Sequence, residues 1–369
     1  MSKPPETSTE EVDRISSLPD DILIQILSSL PTKQAFLTSI LSKRWKHLWF
    51  FVPVIDFTKT KHSDSRLFDK FVDSILCLRK AAGNNSIHSF IWDDEHISHN
   101  WATITPKLSN TILTCTTLVV LKLSYLYMGP AFCYYPIILP SLKTLHLKDI
   151  KFDRYGDLKC LLGYCPVIED LQLYHISYLT FLDPNRCCET LTKLIRADII
   201  ECNCDVPMKA LSNVEFLRIK LYKTFNSPTF HNLTHLVLSY SWGIVQRVLY
   251  LCPKLQNIEF YQKIQGSIRD HEFVYGQNWV LPKFVPPCLS LSLKTCSMRD
   301  FGFAGLQHEH TMLATYILNN SSVLETMSIW CFRKRSEIER ELTSCSRASA
   351  TFCYKDIAGF GGLMNYVSL

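Results

Sequence analysis

The sequence predicts an α/β chain: a short three-helix module, then a curved solenoid with a parallel sheet on one side and helices and loops on the other. Three observations carry this. Residues 18–57 hold apolar side chains at helical intervals, punctuated by proline. From Leu118 to Leu255, one pattern (apolar, two variable, apolar, one variable, apolar) restarts every 19 to 26 residues. An apolar or thiol residue stands three places before each of those starts. Self-similarity at such a period is the signature of stacked repeats.

Taken in order, residues 1–13 (MSKPPETSTEEVD) are acidic and polar and read as a disordered leader. Ser17 is placed to cap a first helix, with Pro19 in its first turn and Asp20 three residues on. Ile22, Leu23, Ile26, Leu27 and Leu30 then fall at helical spacing. Pro31 ends that helix. Thr32 is placed to cap a second, carrying Ala35, Phe36, Ile40 and Leu41, and Ser42 a third, carrying Trp45, Leu48 and Trp49. Domains below about 40 residues usually need a metal, disulfides or a partner. A module this small and apolar keeps an uncovered face, which marks an interaction site.

Residues 58–84 read as a polar linker, TKTKHSDS, and a helix capped by Asp64 and running to about Leu78. Its apolar side is Leu67, Phe68, Phe71, Val72, Ile75, Leu76 and Leu78.

The repeat occupies residues 85–281. Its members are Ile87-Phe90-Trp92, Leu118-Leu121-Leu123, Leu142-Leu145-Leu147, Ile168-Leu171-Leu173, Leu191-Leu194-Arg196, Val214-Leu217-Ile219, Leu233-Leu236-Leu238 and Leu255-Ile258-Phe260. Leu293-Cys296-Met298 and Leu324-Met327-Ile329 follow. From Leu118 to Leu255 the starts are 24, 26, 23, 23, 19 and 22 residues apart, within the 20–29 range of leucine-rich repeats or one residue short of it. Each unit supplies one short strand with its fourth and sixth positions inward, because strand side chains alternate. One unit leaves its apolar edge bare, so units must stack. Arg196 breaks the pattern: the fifth unit is either distorted or turns its last position to solvent. Three places before the starts stand Cys115, Leu139, Cys165, Cys188, Leu211, Phe230 and Cys252. A stacked interior slot explains this, and cysteine suits it as a small hydrophobe.

The first module, as Leu18-Pro19-Asp20, Leu30-Pro31-Thr32-Lys33 and Ser42-Lys43-Arg44-Trp45 through Trp49, closely resembles the F-box in its plant form. LLGYCPVIEDLQL and VLYLCPKLQNIEF resemble the irregular leucine-rich repeats found behind plant F-boxes. Residues 282–355 resemble the FBD region that closes many such proteins, whereas the tail, 356–369, departs from it. The resemblance implies docking onto the Skp-type adaptor of an SCF-type cullin–RING ubiquitin ligase, with Leu18, Pro19, Ile22, Ile26, Leu27 and Leu30 as anchors and Trp45, Leu48 and Trp49 closing the module. It implies a non-catalytic subunit. An interaction protein that binds the adaptor without promoting ubiquitination is the alternative, and the sequence does not separate the two.

In a solenoid the variable positions beside the inward leucines line the concave, binding face. Basic residues outnumber acidic ones there. Lys148, Tyr174, Phe216, Arg218, Lys220 and Tyr261 have the composition of binding hot spots and are the candidate contacts for a mildly acidic protein target.

Composition narrows the alternatives. The formal net charge of +5 is scattered; apart from SKRWKH and Arg333 to Arg335 the basic residues do not cluster, which argues against nucleic acid. No window approaches 18 uninterrupted apolar residues, so no membrane span is expected. Fifteen cysteines with no secretory leader are expected to be thiols in cytoplasm or nucleus. Walker, dinucleotide, HExxH and GxSxG motifs are absent. Cys187-Cys188, Cys202-x-Cys204 and His96-x-x-His99 lack the paired spacing of a metal site, so the reading calls for no metal and no cofactor. A thiol hydrolase is the rival from another class, and nothing specifies its nucleophile.

Overall fold

Parallel strands organise the computed structural model. It describes residues 14–15, 17–58, 65–93, 108–129, 136–181, 191–204, 206–220, 228–239, 242–261, 284–301, 307–331, 340, 342 and 351–356. The strands are β1 (Val54–Asp56), β2 (Ser89–Trp92), β3 (Val120–Ser124), β4 (Tyr127–Met128), β5 (Thr144–Lys148), β6 (Lys151–Arg154), β7 (Asp170–Thr180), β8 (Arg196–Cys202), β9 (Phe216–Lys220), β10 (His235–Ser239), β11 (Asn257–Tyr261), β12 (Thr295–Phe301), β13 (Thr326–Cys331) and β14 (Thr351–Asp356). They join in one 14-stranded sheet, ordered β1-β2-β3-β5-β7-β8-β9-β10-β11-β12-β13-β14, with β4 and β6 to one side. Neighbours pair in parallel, as stacking of like units requires. Leu121, Leu145 and Leu171 align across the ladder, and so do Leu123, Leu147 and Leu173. All six are buried, while the residues between them are half-exposed.

The slot before each unit is a turn. The amides of Leu118, Leu142, Ile168, Val214 and Leu255 donate to the carbonyls of Cys115, Leu139, Cys165, Leu211 and Cys252, three residues back. Those five slot side chains are buried. In the fifth unit this turn runs from the Leu194 amide to the Leu191 carbonyl. The unit therefore starts at Leu194, not Leu191, and its inward pair is Ala197 and Ile199, aligned with Leu171 and Leu173. Leu191 takes the slot assigned to Cys188, which lies outside the described residues. Arg196 is thus no defect: it holds the third position, level with Asp170 and Phe216. The concave residues of this unit are Arg196, Asp198 and Ile200.

Four successive units share another device. Tyr125, Asp149, His175 and Glu201, each just past its strand's seventh position, have φ of 58°, 52°, 54° and 52°. This left-handed conformation costs a non-glycine residue on the order of 1 kcal/mol. The turn is held by amides of Tyr125 and Asp149 donating to carbonyls of Lys148 and Tyr174 in the next unit. His175 sits between two carboxylates, Nδ1 3.1 Å from Asp149 and Nε2 2.7 Å from Glu201. Beyond the turn the chain re-enters a second ladder, β4 with β6 and β6 with the far half of β7.

The N-terminal module consists of α1 (Asp20–Leu27), α2 (Thr32–Leu37), a 3-10 turn over Thr38–Ile40, α3 (Trp45–Leu48) and a 3-10 turn over Trp49–Phe51. The three caps read from sequence are not formed. Ser17 donates to the Arg14 carbonyl instead, and the helices begin behind Pro19, Pro31 and Arg44 without side-chain caps. Thr32, buried, accepts a 2.7 Å bond from the Asp56 amide and so ties α2 to β1.

α4 (Ser65–Ala81) buries Val72, Ile75 and Leu76. Leu78, placed on its apolar side by sequence, is exposed, and Arg79 is buried next to it. Asp64 and the side chains of Leu67 and Phe68 lie outside the described residues. Gly83, at φ 79°, ends the helix, a left-handed position open to glycine at no steric cost. The remaining helices are α5 (Asn110–Leu113), α6 (Asp157–Gly163), α7 (Trp242–Leu251), α8 (Pro287–Leu291) and α9 (Gln307–Asn320). One continuous cluster of buried side chains runs from Leu23 through Phe57 and the stacked leucines to Ile329.

Candidate functional site

Two faces carry side chains that the fold itself leaves unused. The first lies on the N-terminal module. α1 is apolar on almost every side, and packing divides it: Leu23 and Leu27 are fully buried, while Ile22 and Ile26 remain 41% and 44% exposed. From α2 and the turn after it, Phe36, Leu37, Ile40 and Leu41 join them, Ile40 at 81% and Leu41 at 65% exposure. The small module leaves these six large apolar side chains exposed, the mark of an interaction site. Pro19 is exposed, and Leu18 and Leu30 are half-buried against the core.

Leu27 is the correction. Read as an anchor, it points inward, because i and i+4 from Leu23 share the core-facing side of the helix. Trp45, Leu48 and Trp49 are also buried, and Trp49 meets the Phe36 ring edge-to-face at 5.2 Å. They shape the face from beneath. Leu37, which the sequence reading passed over, was readable with Ile40 and Leu41 as an i, i+3, i+4 stripe.

Arg44 explains the pairing of two motif segments. Its Nε donates to Asp20 Oδ1 at 2.7 Å and its Nη2 to the Leu18 carbonyl at 2.5 Å. One guanidinium thus fixes the start of α1, where Asp20 and Asp21 also favour the helix dipole.

The second face is the concave side of the sheet. At its centre, on β7, β8 and β9, Asp198 is almost completely buried under Tyr174, Arg196 and Arg218. Arg218 Nη1 lies 3.2 Å from Asp198 Oδ2, and Arg196 Nη2 3.8 Å from the same oxygen. Desolvation raises the Asp198 pKa, opposed by Arg218, Tyr174 and Arg196; burial and the Asp198 charge raise that of Tyr174. Arg196 stacks on Phe216, its guanidinium carbon 3.8 Å from the ring centroid. His146 Nε2 is 2.8 Å from Asp170 Oδ2 on the adjacent strand. Lys148 lies over the Tyr125 ring at 5.5 Å, and Lys220 is half-exposed at the end of β9. Of the six residues proposed for this face, Tyr261 is the exception: it is buried. Farther along, Arg299 pairs with Glu259 at 2.7 Å and overlies Trp330 at 5.1 Å. Sequence reading missed Arg196 and Asp198 because it placed the fifth unit three residues early.

Chemistry is sparse. Cys202 Sγ donates to the Cys204 carbonyl at 3.5 Å, and the hydrogen bond with Cys202 together with burial pushes the Cys204 thiol up, away from nucleophilic thiolate. Among the described residues no group of three His, Cys, Asp or Glu side chains is arranged to hold a metal ion. Also among them, no helix is long and apolar enough to cross a membrane. Cys187, Cys188, His96 and His99 lie outside the described residues.

Comparison with known proteins bears on both ends of the chain. The family model described as F-box domain matches residues 15–54, which hold the first face. The model described as FBD matches residues 281–329, spanning α8, β12 and α9 and reaching into β13. The chain carries an F-box and an FBD. An F-box/FBD/LRR-repeat protein of Arabidopsis thaliana is 29% identical to it, over 92% of this chain and 97% of its own. An FBD-associated F-box protein of the same plant is also 29% identical, over 92% and 98%. An F-box protein of that plant reaches 35% over 43% of this chain and 58% of its own. Within the FBD, Cys296 and Met298 of β12 stand level with Ile258 and Phe260 of β11, so the FBD extends the repeat sheet rather than forming a separate fold.

Proposed function

We propose that this chain is the substrate-recognition subunit of an SCF-type cullin–RING ubiquitin ligase. The F-box docks the Skp-type adaptor and the concave repeat face holds the protein target. The observation that carries the first half is the apolar face of Ile22, Ile26, Phe36, Leu37, Ile40 and Leu41 within the matched F-box. Covering a fully exposed side chain of this kind is favourable by about 1.5–3 kcal/mol, and Ile22, Ile26 and Phe36, less than half exposed, contribute correspondingly less, before the cost of ordering two partners. On this reading the chain is a non-catalytic subunit. The subunit acts by proximity, raising the effective concentration of a target lysine beside a thioester on a separate conjugating enzyme.

The test is association of the purified chain with a Skp-type adaptor. Ile26→Asp and Ile40→Asp each weaken it roughly thirtyfold or more, the scale of an interface hot spot, while leaving the chain folded. Leu27→Asp does not serve, because it destroys the core. In cells, a target identified by co-purification turns over more slowly with the Ile26→Asp chain. Equal turnover would leave an adaptor-binding protein that ubiquitinates nothing.

A further inference from the structure

We infer that Arg196 is the specificity contact of the concave face and reads a carboxylate, from Asp or Glu, on the protein target. This rests on the proposal that the concave face is where the target binds.

Arg196 is held in place and chemically unspent. It stacks on Phe216 at 3.8 Å, so its plane is fixed. Its acid neighbours stand at 3.8 Å (Asp198) and 4.0 Å (Asp170), beyond hydrogen-bond length. A guanidinium carries five N–H donors. Among the described residues it makes no hydrogen bond, and its side chain is 35% exposed. Asp198 Oδ2 is taken up by Arg218 at 3.2 Å and Asp198 bonds Tyr174, so Arg196 acts on Asp198 through its charge and not through a hydrogen bond. A planar donor fork, pre-oriented on an aromatic ring and facing the concave side, matches a bidentate carboxylate, and its ordering cost is already met by the fold.

Charge selects the carboxylate over a phosphate. Arg196 and Arg218 are balanced by Asp170 and Asp198. Lys220 on the neighbouring strand and Lys148 two strands away both stand level with Ile200, four residues past Arg196 and so more than about 10 Å from it. Beside Arg196 the two arginines and two aspartates cancel, so nothing there offsets the second charge of a dianion. A dianion would set its second charge against two carboxylates within 4 Å of Arg196.

The experiment selects a displayed library of random peptides against the full-length chain and measures the affinity of synthetic versions. Binders are expected to share an Asp or Glu at one position. Its replacement by Asn or Gln weakens binding roughly tenfold or more, as loss of charged hydrogen bonds does. Arg196→Gln weakens the parent peptide equally but adds little to the loss in the amidated one, the mark of a direct pair. Arg196→Lys restores only part, since an ammonium lacks the fork. Arg196 also offsets the Asp198 charge and stacks on Phe216, so melting of each variant is the control that it stays folded at the temperature of the binding measurement. Acid-free binders that are still lost with Phe216→Asp or Lys220→Glu would overturn the carboxylate and leave the concave face standing. A phosphoserine version binding more tightly than Glu would overturn it too. If no binder responds to these concave substitutions, both the carboxylate and the concave face fall.

Discussion

Leu27 is wholly enclosed, while Ile26 beside it keeps 44% of its surface in water. The same substitution therefore has opposite consequences at the two positions. Leu27→Asp places an unpaired charge in a packed core and should cost at least about 4 kcal/mol, seen as loss of cooperative thermal unfolding. Ile26→Asp should cost no more than about 1 kcal/mol, since nearly half of that side chain already lies in water. His310 on α9 offers a second test, through pH. It is buried, and desolvation lowers its pKa from 6.5 to about 4. Between those values the unfolded chain takes up a proton that the folded chain refuses. Stability is therefore complete above about pH 6.5 and falls with acidification until about pH 4, by at most about 3 kcal/mol. Denaturant unfolding of His310→Gln should lack that part of the slope.

At the scale of elements, the two ends of the F-box motif meet through Arg44. Its ion pair with Asp20 is partly exposed, so Arg44→Ala should cost no more than about 1 kcal/mol of stability. Adaptor affinity should fall several-fold, because the start of α1 loses the clamp on Asp20 and Leu18. Calorimetric titration beside thermal melting separates the two effects. Element positions were legible in the sequence where spacing alone decides them. Every inward pair from Leu121 to Ile329 outside the fifth unit sits where the repeat placed it. The fifth unit misled because a slot-to-start interval and a start-to-fourth-position interval are both three residues. Leu191 and Leu194 satisfy either, and only the backbone turn chooses. β14 was illegible for another reason: its unit has no apolar start, and it is held by pairing with β13. The exposed apolar face of the F-box was half legible. Periodicity finds apolar stripes, yet on a helix as apolar as α1 only the packing of Trp45, Leu48 and Trp49 decides which stripe stays outside.

The largest scale concerns how the F-box sits on the solenoid. β1 leads directly out of the F-box and is the first strand of the repeat sheet, paired with β2 from Val54↔Ser89 to Asp56↔Ile91. Behind it, Arg79 of α4 donates to the carbonyls of Trp49 at 3.3 Å and Ser86 at 3.0 Å, and Asn84 donates to that of Phe50 at 2.8 Å. Burial lowers the Arg79 pKa to about 10, so at neutral pH a buried cation is held by backbone carbonyls at the junction. A repeat stack needs its apolar ends covered, and here the F-box covers one. Adaptor and target would then be held at one fixed separation, as action by proximity demands. The consequence is cooperative: F-box and first repeats should unfold together. Arg79→Ala strands two carbonyls and opens a cavity, at a cost of about 2–4 kcal/mol. Native-state hydrogen exchange should show the amides of Leu23 and Ala35, bonded within the F-box helices, losing protection together with those of Val120 and Thr144. If the F-box amides open on their own while the repeats stay protected, the two parts move independently and the fixed separation is wrong.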